Sequence, residues 1–140
     1  MIKQLKSAGI TLGVVYAAAF ALKSMLLKLN YFKASEFGIW WPFMDEKLLR
    51  ALDAFRAALG ERVIISPASG AIGRTGKDAE HSQHYLTSAG KIRAVDILLP
   101  PGVSLSQAYN VARSLNMFSG IGVYPDWKPS HGMHLDTLDD

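Results

Sequence analysis

Arg93-Ala94-Val95-Asp96-Ile97-Leu98-Leu99 is the stretch that decides the fold. Its apolar, partly β-branched residues predict a strand. Side chains alternate along a strand, so Val95 and Ile97 take one face and Ala94, Asp96 and Leu98 the other. A carboxylate in such a run is costly to bury unless it is paired or bound to a metal. Lys91 and Arg93 lie at odd offsets from Asp96 and so project from the opposite face. Asp96 is then either paired with one of them in spite of that geometry or held by a metal.

Working outward, Pro100-Pro101-Gly102 is a turn. Ser104 caps a helix with Gln107 three residues on, and the helix runs to about Asn116. Residues Ser119 to Tyr124 (SGIGVY) and His131 to Thr137 (HGMHLDT) predict two more strands, with a turn over Pro125 to Ser130. Upstream, Leu48, Leu49, Leu52, Phe55 and Leu59 recur at helical spacing between Glu46 and the stop at Gly60. Arg62 to Ser66 (RVIIS) reads as a short strand ended by Pro67. Ser69 to Gly90 reads as a long loop, and Tyr31 to Phe37 as a linker entering the domain. The order α-β-β-α-β-β does not alternate regularly. It predicts an α+β fold, with a small and mostly antiparallel sheet flanked by helices, over a parallel doubly wound one. No repeat or low-complexity segment interrupts it.

The 140 residues suffice for one domain, 31–140, preceded by a distinct apolar segment, 1–30. A net charge of +3 is too small and too scattered to argue for nucleic acid, although it favours approach to an anionic surface such as a bacterial wall. With no cysteine there is neither a disulfide framework nor a thiolate metal site. In the first segment, Lys3 and Lys6 precede an uncharged run from Ala8 to Leu22. That run is shorter than the roughly 20 residues that span a bilayer. It is open to three readings: a cleaved export signal, an uncleaved signal anchor, or a helix packed on the domain or a partner. Together they favour a site of action beyond the cytoplasmic membrane, periplasmic or extracytoplasmic, with transient membrane association through residues 8–22. Accumulation in the cytoplasm before lysis is also compatible.

The four histidines fall in two clusters, His81 with His84 and His131 with His134. His134 and Asp136 share one face of the last strand. Two strands can thus each present a ligand to one patch, and the loop ending at His84 can supply a third. Each residue also has a bland reading: His84 as an ordinary loop histidine, Asp96 as half of an ion pair, His134 as a satisfied core histidine. Two histidines and one carboxylate leave a fourth tetrahedral position open, as in a catalytic zinc site. Oxygen and nitrogen donors also admit other divalent metals, so Zn2+ is a preference.

Taken in order, Ser82-x-His84, Ala94-Val95-Asp96-Ile97, Gly120-Ile121-Gly122-Val123-Tyr124-Pro125 and His134-Leu135-Asp136-Thr137 resemble the zinc D-Ala-D-Ala carboxypeptidase and phage endolysin peptidases, which share the hedgehog-type fold. Phe32-Lys33-x-Ser35-Glu36-Phe37 is similar to that family's domain start, and the resemblance covers about Tyr31 to Thr137. It implies that His84, Asp96 and His134 hold zinc and that the substrate is a peptidoglycan stem peptide. It also implies an arginine shortly after the first strand; in ISPASGAIGR that is Arg74, to bind a substrate carboxylate or stabilise an oxyanion. Eleven residues separate His84 from Asp96 where the family usually has six, and the chain ends soon after His134, where relatives often continue. For the general base, His131 and Asp136 both stand: His131 takes the place of an acid that some relatives carry, and needs a bulge at Gly132 to reach the face of His134. The functions implied are peptidoglycan hydrolysis, including that of a phage or prophage lysis enzyme, D,D-carboxypeptidase action on muropeptides, or a non-catalytic wall-binding or phage structural module.

Overall fold

The structure is a computed structural model that describes residues 2–74, 84 and 90–138, with backbone only for 2–12. His81, Ser82 and most of the Ser69–Gly90 loop lie outside the described residues. The elements are α1 (Ile2–Leu26), a 3-10 segment (Ala34–Phe43), α2 (Glu46–Leu59), β1 (Ile64–Ile65), β2 (Ala94–Leu98), α3 (Leu105–Ser114), β3 (Gly120–Tyr124) and β4 (Gly132–Asp136). The fold is α+β. Among the described residues four strands form one antiparallel sheet in the order β1-β2-β4-β3.

The central pair explains the sheet. β2 and β4 are paired along their whole length, Ala94 with Asp136 through Leu98 with Gly132. Their odd-numbered residues Val95, Ile97, Met133 and Leu135 are fully buried and share one apolar cluster with Leu48, Leu49, Leu52 and Phe55 of α2 and Ala108 and Ala112 of α3. Burying a side chain of this size contributes ~1.5–3 kcal/mol. Even-numbered residues take the other face, so the apolar layer fixes the register that brings Asp96 opposite His134.

Both flanking helices carry the signals that position them. α2 buries Leu48, Leu49, Leu52, Phe55 and Leu59 along one side and ends at Gly60, whose left-handed φ of 70° suits glycine. In α3 the Ser104 hydroxyl accepts a hydrogen bond from the Gln107 amide at 3.0 Å. The strands are shorter than the sequence predicts, most of all β1, where only Ile64 and Ile65 pair.

The stretch read as a linker is instead part of the core. Phe32, Phe37 and Trp41 are buried, with ring centroids 5.7 Å apart in both the Phe32–Phe37 and Phe37–Trp41 pairs. ASEFGIWWPF has neither strand nor α-helical periodicity, because 3-10 turns kinked at Gly38 (φ 56°) set its geometry. Two residues of α2 hold this region. Asp53 accepts hydrogen bonds from the amides of Asn30, Tyr31 and Phe32, and Arg56 lies over the Phe32 ring and pairs with Glu36 at 2.9 Å.

α1 lies against the 3-10 segment through one side. Tyr16 donates to the Ile39 carbonyl at 2.6 Å, Phe20 meets Trp41, and Lys23 donates to the Met44 carbonyl while sitting over the Trp41 ring. Burial holds the Lys23 ammonium below its ordinary pKa, against the pull of Asp45 and Glu46. Val14, Val15, Leu22, Met25 and Leu26 face outward. Among the described residues, no helix is long and apolar enough to cross a membrane.

Candidate metal centre

The even-numbered face of the sheet carries the site. Asp96 of β2, His134 of β4 and Gly122 of β3 occupy one rung across three strands. Asp96 Oδ1 lies 3.0 Å from His134 Nδ1 and 3.1 Å from His84 Nε2, and the two ring nitrogens are 3.2 Å apart. His84 reaches this point by a non-local route. After β1, residues 66–74 fold back beside β2, with the Ser66 amide donating to the Asp96 carbonyl and the Asp96 amide to the Ala71 carbonyl. The Arg74 amide then donates to the His84 carbonyl, which seats His84 at 4% exposure above the strand.

The outer nitrogens of both rings are held. His84 Nδ1 is 3.3 Å from the Ile72 carbonyl, and His134 Nε2 is 2.9 Å from Asp136 Oδ2. A carbonyl or carboxylate can only accept, so each outer nitrogen carries a proton, which leaves each inner nitrogen able to hold either a proton shared with Asp96 or a metal ion. Three electron-rich atoms thus converge, a grouping that a cation between them stabilises. Their separations of 3.0, 3.1 and 3.2 Å approach the roughly 3.3 Å edge of a tetrahedron of ligands about 2.0–2.1 Å from a centre. The donor set therefore fits a metal ion, and among the described residues these three are the ones whose ligand atoms all fall within 4.8 Å of one another. Ring nitrogens held by a carboxylate and a backbone carbonyl are the usual outer support of such a centre.

Electrostatics without the metal lead the same way. Burial opposes both charges, yet hydrogen bonds from His134 and His84 hold the Asp96 carboxyl below its ordinary pKa. Burial likewise opposes the His134 imidazolium, but hydrogen bonds to Asp96 and Asp136, with their charges, hold its pKa above the ordinary value. Positive charge is favoured at the centre of the cluster, carried by a proton or by a metal ion that displaces it.

The other residues singled out by the sequence stand differently. Asp136, read as a general base, is 2% exposed, and both its oxygens are engaged: Oδ2 with His134 Nε2, and Oδ1 with the Leu138 amide at 3.3 Å. It orients a ring. His131, the other base candidate, is not brought to the cluster. The β3–β4 and β2–β4 ladders run through Gly132 without a bulge, so His131 keeps to the opposite side of the strand, its Nε2 2.6 Å from the Val103 carbonyl. Arg74 is exposed, and its Nε donates to the Gly70 carbonyl at 3.1 Å. Lys91, considered as a partner for Asp96, lies 3.5 Å from Asp45.

Sequence reasoning missed what the glycines do. A Cβ at Gly120 would run into the Asp136 carboxylate, and one at Gly122 would meet the Tyr124 ring, with Cε2 at 3.0 Å and Oη at 3.2 Å. Glycine two residues apart inside a strand is the available signal, since it marks close approach of another group. The Ile72 carbonyl had no signal in the sequence at all. No protein-family model, no curated protein and no solved structure matches this chain.

Proposed function

We propose that this chain is a zinc-dependent peptidase of bacterial peptidoglycan stem peptides, on a hedgehog-type fold like that of the D-Ala-D-Ala carboxypeptidases and phage endolysins. One observation carries the reading: His84 Nε2, Asp96 Oδ1 and His134 Nδ1 converge, and the outer nitrogen of each imidazole is held by an acceptor. Zinc bound there would polarise the scissile carbonyl and make a water molecule acidic enough to attack near neutral pH. His84, Asp96 and His134 would hold it, and Asp136 and the Ile72 carbonyl keep the two rings in the ligating tautomer. Arg74, hydrogen-bonded through its amide to His84, stands beside the site to bind a substrate carboxylate. A groove of about 480 Å³ between the 3-10 segment and residues 65–73 runs past Ile72 and gives an extended peptide a path.

An exposed arginine next to the site also favours the closely related D,D-carboxypeptidase reading, in which Arg74 binds the terminal carboxylate. The outward apolar residues of α1 support action beyond the cytoplasmic membrane, with transient membrane contact.

The test is elemental analysis of zinc, followed by incubation with purified cell wall. About one zinc per chain and release of D-Ala or new amino groups are expected, and the product separates carboxypeptidase from endopeptidase. His84→Ala removes the hydrolysis. Wall binding that survives this change, in a protein with no hydrolysis to lose, would instead mark a non-catalytic module. Absence of stoichiometric divalent metal sinks the proposal.

A further inference from the structure

On the ligand face of the sheet, three glycines each give up their side-chain space to another residue. Gly120 makes room for the Asp136 carboxylate. Gly132 lies against the Ile97 carbonyl and under the edge of the Trp127 ring. Gly122, on the rung of Asp96 and His134, is covered by Tyr124, which folds back along its own strand so that Oη lies 3.2 Å from where a Cβ would stand. Residues opposite each other on neighbouring antiparallel strands hold their Cβ positions roughly 4.5–5.5 Å apart. The Tyr124 phenol therefore lies on the ligand face, one strand over from His134.

Its orientation is fixed. Trp127 stacks on the Tyr124 ring with centroids 4.2 Å apart and planes within 3°. The pair remains open to solvent, Tyr124 being 42% exposed. Asp136 is already engaged with His134 and Leu138, and Arg74 Nε with the Gly70 carbonyl. The Tyr124 hydroxyl has no hydrogen-bond partner among the described residues.

We propose that Tyr124 is a substrate-contacting residue of this site, whose hydroxyl donates a hydrogen bond to the substrate carbonyl oxygen as negative charge gathers there. Trp127 is its positioning residue, and Gly122 is the space that lets the ring lie flat. The proposal rests on the peptidase reading and adds a donor to it. Such a donor acts mainly in the transition state, because the oxygen is more negative there than in the bound substrate.

The experiment compares zinc-loaded wild-type protein with Tyr124→Phe, which keeps the ring and its stack. Removing one such donor lowers kcat by about 10²-fold or more, with KM nearly unchanged and zinc content unaltered. A second readout is calorimetric binding of a phosphinate dipeptide, whose tetrahedral anion resembles the charged intermediate. Its affinity falls about tenfold or more in Tyr124→Phe, because a hydrogen bond to a charged group is lost. Trp127→Ala gives a loss in the same direction, and Trp127→Phe restores most of it. Full turnover together with unchanged phosphinate affinity in Tyr124→Phe overturns the assignment and leaves the peptidase reading standing. Wild-type protein that binds zinc but neither hydrolyses wall peptide nor binds the phosphinate overturns both.

Discussion

The two faces of the β2–β4 pair share one backbone and one ladder, yet they are built for opposite purposes. The odd-numbered face carries Val95, Ile97, Met133 and Leu135, all without exposure and all packed against helices. The even-numbered face carries Asp96, His134 and Asp136, interleaved with Gly120, Gly122 and Gly132. The first face fills space and the second keeps space open. Alternation with period two lets neighbouring residues do both jobs, so the core holds the chemistry in register without touching it. The cost is that charged groups on the second face are buried beside apolar Ala94 and Leu98. Its buried charges must satisfy one another or a bound ion.

Substitutions one residue apart separate the faces. Asp96→Ala deletes the one anionic ligand and leaves two histidines, so stoichiometric zinc binding and hydrolysis are expected to disappear while circular dichroism keeps its native shape. Ile97→Ala is expected to do the reverse, costing about 2–5 kcal/mol in denaturant unfolding through the cavity it leaves, with zinc stoichiometry retained wherever the protein is folded. Loss of zinc from Ile97→Ala under folding conditions would show that the faces are not independent.

A milder change sharpens the comparison within the polar face. Asp136→Asn keeps the shape of the carboxylate that holds His134 but removes its charge. Zinc affinity is expected to fall about 10–100-fold, measured by competition with a chelator, with little change in unfolding. An unchanged affinity would show that Asp136 serves the fold and not the ligand.

The smallest effect expected concerns pH in the metal-free protein. His134 has its pKa raised by folding, so its contribution is fully present below the ordinary value of 6.5 and is lost as pH rises through the folded-state pKa. Asp96 has its pKa lowered, so its contribution is present above the ordinary 3.8 and is lost as pH falls through its folded-state value. Metal-free protein should therefore be most stable to heat between about 4 and 6.5, and should lose stability toward alkaline pH. Zinc should reverse that alkaline trend, since it replaces the departing proton. A melting temperature that rises as pH climbs above about 6.5 in the absence of metal contradicts this account of the cluster.

Much of this arrangement was legible in local pattern. Asp96 between Val95 and Ile97 announced a carboxylate on the face away from the core, and His134 with Asp136 two residues later announced a matching strand. Both readings rest on period-two alternation, which tertiary structure seldom overrides when one face is buried. His84 was less legible, because its position depends on pairing with Arg74 and on the Ile72 carbonyl, contacts that no local spacing encodes. The same alternation that placed His134 counted against His131, and the unbroken ladder upholds it. The 3-10 segment escaped notice since its turns follow neither period and its Glu36 is held by Arg56 from a distant helix.

The Asp53 carboxylate has a mechanical consequence. Three successive amides, those of Asn30, Tyr31 and Phe32, are moored to this single side chain on α2. The chain has no slack there, so tension applied to α1 is delivered to α2 at Asp53, with Arg56 close behind it on Tyr31 and Phe32. Asp53 acts as a strain relief between α1 and the sheet, in the way a clamp protects a solder joint from its cable. In single-molecule pulling from the N-terminus, α1 should peel away first and extension should then halt at Asn30. Asp53→Ala should abolish that halt.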